Sequence, residues 1–238
     1  MPLVLKLEKM KTEYKTENFK LEILQHEDPR SPREDCDRLL GKMMCFHKRY
    51  ILGDQHDYKH ADYNSWAEMR KAIIKNEGDV LIIKDLYLYD HSGITISTAP
   101  FTDPWDSGQI GFIIAKKSKV RELMGVERIS DQMEHKVSLS LEDEVKTYDE
   151  FIKGNVYGFK LYEIVNGHQR ELNSCWGFYG NNIIKNGIFD NISHIKELAD
   201  LINPPKVEVK EKIKVPKFKA PKKPKEPKKK KNEQLSMF

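Results

Sequence analysis

Nowhere in the 238 residues do about eighteen apolar residues run together, so no helix of the chain is expected to span a membrane. The opening, MPLVLKLEKMKTEYK, meets charge within six residues and forms no secretory hydrophobic segment. Cysteine is scarce. Cys36, Cys45 and Cys175 cannot all pair within one chain, and free thiols in a reducing cytosol are the simplest reading. There is no GxxxxGK[ST], which excludes a Walker-type phosphate loop, and no GxGxxG, which excludes the Rossmann fingerprint. CxxC and HExxH are also missing, so no strong metal signature exists, and neither a metal nor a cofactor is expected. No repeat of 20–50 residues recurs. What is present is a mean hydropathy of −0.67 and 33% charged residues, which points to a chain that is solvated in part.

The net charge of +4 is unevenly spread. Residues 206–238 carry thirteen lysines against four glutamates, a net of +9, which leaves −5 for residues 1–205. The body is mildly acidic, and any broad grip on nucleic-acid phosphate belongs to the other segment.

Within the body, residues 18–25 alternate Phe19, Leu21 and Ile23 with polar residues and read as a strand. Residues 35–52 show no clean period and leave helix or strand open. Asn64 or Ser65 caps a helix running to about Asn76, with Trp66, Met69, Ile73 and Ile74 as its buried stripe and Gly78 as its stop. VLIIKDLYLY and ITIST read as strands joined at His91-Ser92-Gly93, and GQIGFIIAK as a third, with Ile110, Phe112 and Ile114 alternating. Ser118 caps a short helix ending at Gly125, and Ser140 with Asp143 caps another. VYGFKLYEIV and ELNSCWGFYG flank Asn166-Gly167, a strong hairpin signal. Asp190 or Ser193 caps a last helix. Hairpins alternate with helices, which predicts a single α+β domain over 1–203, with helices packed on an antiparallel or mixed sheet.

Residues 204–233 are rich in Lys and Pro and have almost no core-forming content, so they read as an extended, disordered linker. Its lysines Lys222, Lys223, Lys225, Lys228, Lys229, Lys230 and Lys231 suit weak, salt-sensitive contact with DNA phosphates. Gln234-Leu235-Ser236-Met237-Phe238 follows. Exposed Leu, Met and Phe cost solubility unless something covers them. A glutamine amide followed by short apolar anchors suits a shallow pocket. This pentapeptide resembles the peptide by which bacterial polymerases and repair proteins bind the DNA sliding clamp, which reads Gln-Leu-Ser/Asp-Leu-Phe. Only Met237 departs, and Met is adaptable enough for the same subpocket.

Candidate chemistry in the body sits in its loops. Asp90, His91 and Asp106, with Cys175, are candidates for a catalytic pocket acting on nucleotides or nucleic acid, with a thiol or hydroxyl nucleophile beside a base. His91 with Ser92 has no triad spacing, and a turn needs such residues anyway. His56 and His60, with Asp54, Asp57 and Cys45, are a weak metal candidate. Trp105 and Trp176 are candidates for stacking on bases or on a partner.

Four runs carry a family likeness: Asp35 to Asp54, Leu86 to Gly93, Pro104 to Gln109, and Ser174 to Gly180. Together they resemble an uncharacterised family of small phage and mobile-element proteins over residues 30–181. The sequence departs from it at residues 37–41, where the family more often has an Asn-Leu-Gly core. It departs again at Thr102-Asp103, where a Ser-Cys pair is more usual, so no thiol is required near Asp103. The resemblance implies a phage accessory protein in the host cytoplasm, associated with the nucleoid. With the pentapeptide it leads to a protein docked on the clamp and modulating replication, repair or DNA-directed defence. The alternatives are an enzyme, or an interaction module binding a host defence protein.

Overall fold

The computed structural model describes residues 11–34 and 38–204. In chain order the elements are β1 (Lys11–Lys15), β2 (Phe19–Gln25), β3 (Gly41–Cys45), α1 (Trp66–Glu77), β4 (Val80–Asp90), β5 (Ile94–Ser97), β6 (Ser107–Lys116), α2 (Lys117–Met124), α3 (Asp131–Ile152), β7 (Val156–Val165), β8 (His168–Tyr179), α4 (Ile188–Ile192) and α5 (Lys196–Ile202). This is an α+β domain, as the alternation of hairpins and helices predicts. Its strands divide between two antiparallel sheets, ordered β1-β2-β7-β8 and β3-β6-β4-β5. No helix among the described residues is long and apolar enough to cross a membrane.

The second sheet is covered on both faces. Met43, Ile113 and Ala115 pack with Val137, Leu141, Val145 and Tyr148 of α3. Met44, Phe112 and Ile114 pack on Met69 and Ile73 of α1. Both alternating sets are therefore apolar, and β6 reads as a continuous hydrophobic run rather than a clean alternation. Ile110 breaks the expected face. A register shift beside it, where Leu86 opposes Gly111 and Tyr87 opposes Gln109, turns it toward α3 instead of toward Phe112. The first sheet is covered on one face by α4 and α5, through Ile188, Ile192 and Leu198 against Leu21, Ile23, Phe159 and Leu161.

Several local signals act as read. Ser65 Oγ accepts from Glu68 N at 3.2 Å, and Gly78 ends α1 at φ +82. Asn166 and Gly167 both take positive φ in the β7–β8 turn. Others differ. α3 begins at Asp131, capped by Ser130, so Ser140 lies inside it. The spacing of Val137, Leu141, Val145 and Tyr148 carries the helix through that point. Ser118 is not the cap of α2. Its N–H is taken by Asp79 Oδ2 at 2.8 Å, a carboxylate from outside the helix. The last helix is two short ones, and α5 starts at Lys196 after Ile195 with no side-chain cap.

Two partly buried ion clusters fix the elements around α3 and α1. The Arg33 side chain, 4% exposed, donates to Asp54 Oδ1 at 2.8 Å, to Glu144 Oε2 at 2.9 Å and to the Gly41 carbonyl at 2.6 Å. Asp54 accepts from Met43 N at 2.7 Å, Glu144 accepts from Leu40 N at 2.8 Å, and Gly53 N donates to Tyr148 Oη at 3.0 Å. Arg33 and the stretch 40–54 are thereby sewn to α3. Glu77, 11% exposed, meets Lys116 Nζ at 2.7 Å and Lys42 Nζ at 3.2 Å. Burial alone would raise its pKa, yet the two lysine contacts outweigh burial and hold the carboxyl below its ordinary value. A depressed carboxyl contributes stability above its unfolded pKa and loses it as pH falls through the folded one. Glu77→Gln is therefore expected to cost about 1 kcal/mol at pH 7 and almost nothing at pH 3, read by urea melts at both pH values.

A candidate binding cleft at one end of the second sheet

Three loops meet where β4 ends and β6 begins. Asp90 closes β4, and Ser92 (φ +58) with Gly93 (φ +149) turns the chain back, with His91 N donating to Gly93 O at 3.0 Å. Asp90 N donates to the Asp106 carbonyl at 2.8 Å, which draws the 99–106 loop onto the end of the ladder. The two side chains then meet: His91 Nδ1 lies 2.8 Å from Asp106 Oδ2. Tyr89 stacks on His91 at 6.0 Å and packs on Phe101 at 5.7 Å, backing the pair from the strand side.

The 99–106 loop presents a tryptophan. Asp103 Oδ1 accepts from Trp105 N at 2.9 Å, and the Ser107 hydroxyl donates to the Asp103 carbonyl. This side-chain turn holds Trp105 out of the fold, 93% exposed. The third wall comes from the segment after β3. His47 stacks on Tyr50 at 4.8 Å, nearly parallel, and the Arg49 guanidinium sits 5.4 Å from the centroid of the same ring. Arg49 N and Tyr50 N both approach His47 Nδ1 at 3.3 Å, so that atom accepts and the ring hydrogen sits on Nε2. Arg49 reaches across to pair with Asp90. His47, Arg49, Asp90, Trp105, Asp106 and Ser107 line a cleft of about 320 Å³.

No protein-family model, curated protein or solved structure matches this chain.

Of the four residues the sequence offers as a catalytic pocket, three come together and one does not. Asp90, His91 and Asp106 share this end of the second sheet. Cys175 lies on β8 of the first sheet, exposed, opposite Phe159, with its thiol directed at its neighbour's carbonyl, Trp176 O, 3.9 Å away. Among the described residues no thiol lines the cleft. Cys45, buried under the segment that carries Arg49, has its thiol pushed up to about 12, chiefly by burial and further by the charge of Asp54, which makes it a poor nucleophile. The Ser107 hydroxyl is occupied by Asp103. His91 with Asp106 is an imidazole held by a carboxylate, able to orient and move a proton, with no nucleophile placed beside it among the described residues.

The other candidates resolve into packing. His56 Nε2 lies 3.1 Å from Cys45 O, and its ring packs on Phe46. His60 packs edge-on against Trp66. Asp54 belongs to Arg33. Among the described residues no group of three or more His, Cys, Asp and Glu could hold a metal ion. Trp66 is core, against Phe112 at 5.7 Å. Trp176 lies flat over Gly158, where any Cβ would overlap its ring, and is 40% exposed. The pairing of Arg49 with Asp90 escapes the sequence reading, since 41 positions separate them and no spacing announces the pair. Residues 234–238 and the lysines Lys222 to Lys231 lie outside the described residues.

Proposed function

We propose that this protein is an accessory factor of a phage or mobile element that docks on the host DNA sliding clamp through Gln234-Leu235-Ser236-Met237-Phe238. There it would modulate replication, repair or a DNA-directed defence. The observation that carries the reading is the pentapeptide itself, which fits the clamp-binding pattern at every position but Met237. The preceding lysines supply base-blind attraction to the DNA that threads a clamp. The likeness of residues 30–181 to phage and mobile-element proteins supports a host replication target. The body, acidic and with its own cleft, is the effector, and tethering raises its local concentration without any contact of its own.

The test is calorimetry of purified bacterial sliding clamp against the full chain, a truncation ending at Glu233, and Phe238→Ala. A short peptide of this kind binds at about micromolar strength, near −8 kcal/mol. The full chain is expected to bind at that level, and both variants are expected to lose binding while keeping their thermal transition. Equal affinity in all three would overturn the proposal.

The convergence of Asp90, His91 and Asp106 favours a second reading of the body, one directed at nucleotides or nucleic acid. The chemistry of the cleft narrows it further.

A further inference from the structure

We infer that the cleft formed by Trp105, Asp106, Asp90, Arg49 and His47 is a nucleotide-binding site that selects guanine. The inference rests on the second reading of the body and is independent of the clamp contact.

The charges of the cleft set the class of ligand. Asp90 and Asp106 are acceptors, but Arg49 already spans to Asp90 and His91 to Asp106. A cationic ligand would meet a guanidinium beside one carboxylate and an imidazole beside the other. A purely anionic one would meet two carboxylates. A ligand of mixed character suits the cleft better: neutral N–H donors at one end and an anion at the other. A nucleotide has that form.

The single hydrogen bonds made to each carboxylate go to its Oδ2, from Arg49 and from His91. Oδ1 of Asp106 is left without a protein donor among the described residues, and an ionised carboxylate only accepts. Asp106 is the less encumbered of the two acids, since its partner is an imidazole rather than a guanidinium. Among the four common bases, guanine alone offers two adjacent donors on its pairing edge, the ring N1–H and the exocyclic amine. Adenine and cytosine place an acceptor beside their amine, and uracil flanks its one N–H with carbonyls. Those acceptors would point at a carboxylate. Trp105, on a loop whose backbone is fixed by Asp103, offers the base a flat apolar face. His47 Nε2–H and the outer edge of Arg49, whose side chain is 68% exposed, are donors for a base carbonyl or a phosphate. At about 320 Å³ the cleft falls in the range of small-ligand sites.

The same chemistry could arrive as a free guanine nucleotide or as a guanine in single-stranded nucleic acid. The test is tryptophan fluorescence of the full chain. It is titrated with GMP, AMP, CMP and UMP, and with oligothymidylates that carry or lack one central dG. Saturable quenching by GMP is expected, with apparent affinity about tenfold or more above that for the other three nucleotides. Stronger response to the dG oligonucleotide than to GMP would assign the strand as source, and the reverse would assign the free nucleotide. Trp105→Ala is expected to abolish the quench. Asp106→Asn is expected to erase the preference for guanine, with melting temperature checked for both variants. His91→Gln leaves the Asp106 side chain in place and should retain the preference, which separates the carboxylate from its partner. No saturable quench by any guanine-bearing probe, equal response to all four nucleotides, or a quench that survives Trp105→Ala would overturn the inference. Binding without turnover would remove catalysis from the second reading and leave this one standing.

Discussion

Arg33→Met is expected to destabilise the domain by about 3–5 kcal/mol, the largest loss from any single charge in the described residues. The reason is what it leaves behind. Arg33 is 4% exposed and satisfies two carboxylates and a carbonyl at once, and both carboxylates are themselves largely covered, Glu144 at 11% and Asp54 at 22%. Replacing it with an apolar chain of similar length keeps the volume and removes the charge, so two buried anions face each other uncompensated. The loss should depend on pH. In the intact protein burial pushes the Glu144 carboxyl up despite the bonds from Arg33, Leu40 and Gly41. Without Arg33 it rises further. A carboxyl raised in the folded state contributes stability that is complete below its unfolded pKa and is lost as pH rises through the folded one. The deficit of Arg33→Met should therefore be largest near pH 8 and smaller near pH 4.5, the same direction as the loss from Glu77→Gln although the two carboxyls are shifted oppositely. Urea melts at the two pH values measure it. A deficit below about 1 kcal/mol at pH 8, or one that grows in acid, would show that the cluster is solvated rather than buried. Arg33→Met with Glu144→Leu should recover part of the loss, because it removes one orphaned charge.

The same cluster marks the limit of what the sequence reveals. Periodicity and turn chemistry are local, and they found α1 with its Ser65 cap, β4, β5, β6, and the Asn166-Gly167 hairpin. Residues 35–52 were unreadable because Met43 and Met44 face opposite sides of a strand buried on both, so neither period shows. β1, with the sequence KTEYK, has too little apolar content to announce itself and exists through its pairing with β2. The division into two sheets is also non-local, since β2 finds β7 across some 130 residues and β3 finds β6 across about 70. For the cleft, loop composition pointed to Asp90, His91 and Asp106, because Asp, Gly and His cluster where strands end. It could not say that Cys175 belongs to another sheet or that Arg49 returns to Asp90. Arg33, Asp54 and Glu144 carried no signal, as each is an ordinary surface residue type until the fold buries it.

Gly111→Ala is expected to cost about 3 kcal/mol, while Gly108→Ala, three residues earlier in the same strand, should be neutral or stabilising by a few tenths. Both glycines lie in β6, neither has a positive φ, and the sequence SGQIGFIIAK does not distinguish them. The difference is the neighbouring backbone. A Cβ on Gly111 would overlap the Met44 carbonyl oxygen and stand 3.0 Å from Cys45 Cα, both of them main-chain atoms of β3. Backbone cannot rotate aside as a side chain can, so β3 must move off β6. Gly111 also opposes Leu86 at the register shift that turns Ile110, so the displacement would reach the packing on α3. Around Gly108 nothing lies within 4 Å of a Cβ, and the substitution acts mainly by restricting the unfolded chain. Urea melts of the two variants give the comparison directly. The nucleotide quench adds a second readout, since β3 leads into the segment carrying His47 and Arg49 while Gly108 lines the cleft itself. Gly111→Ala should weaken the quench through a displaced wall even in the fraction that remains folded. If it instead melts like the parent, β3 is not held against β6 at this point, and the close approach that leaves room only for glycine does not exist in solution.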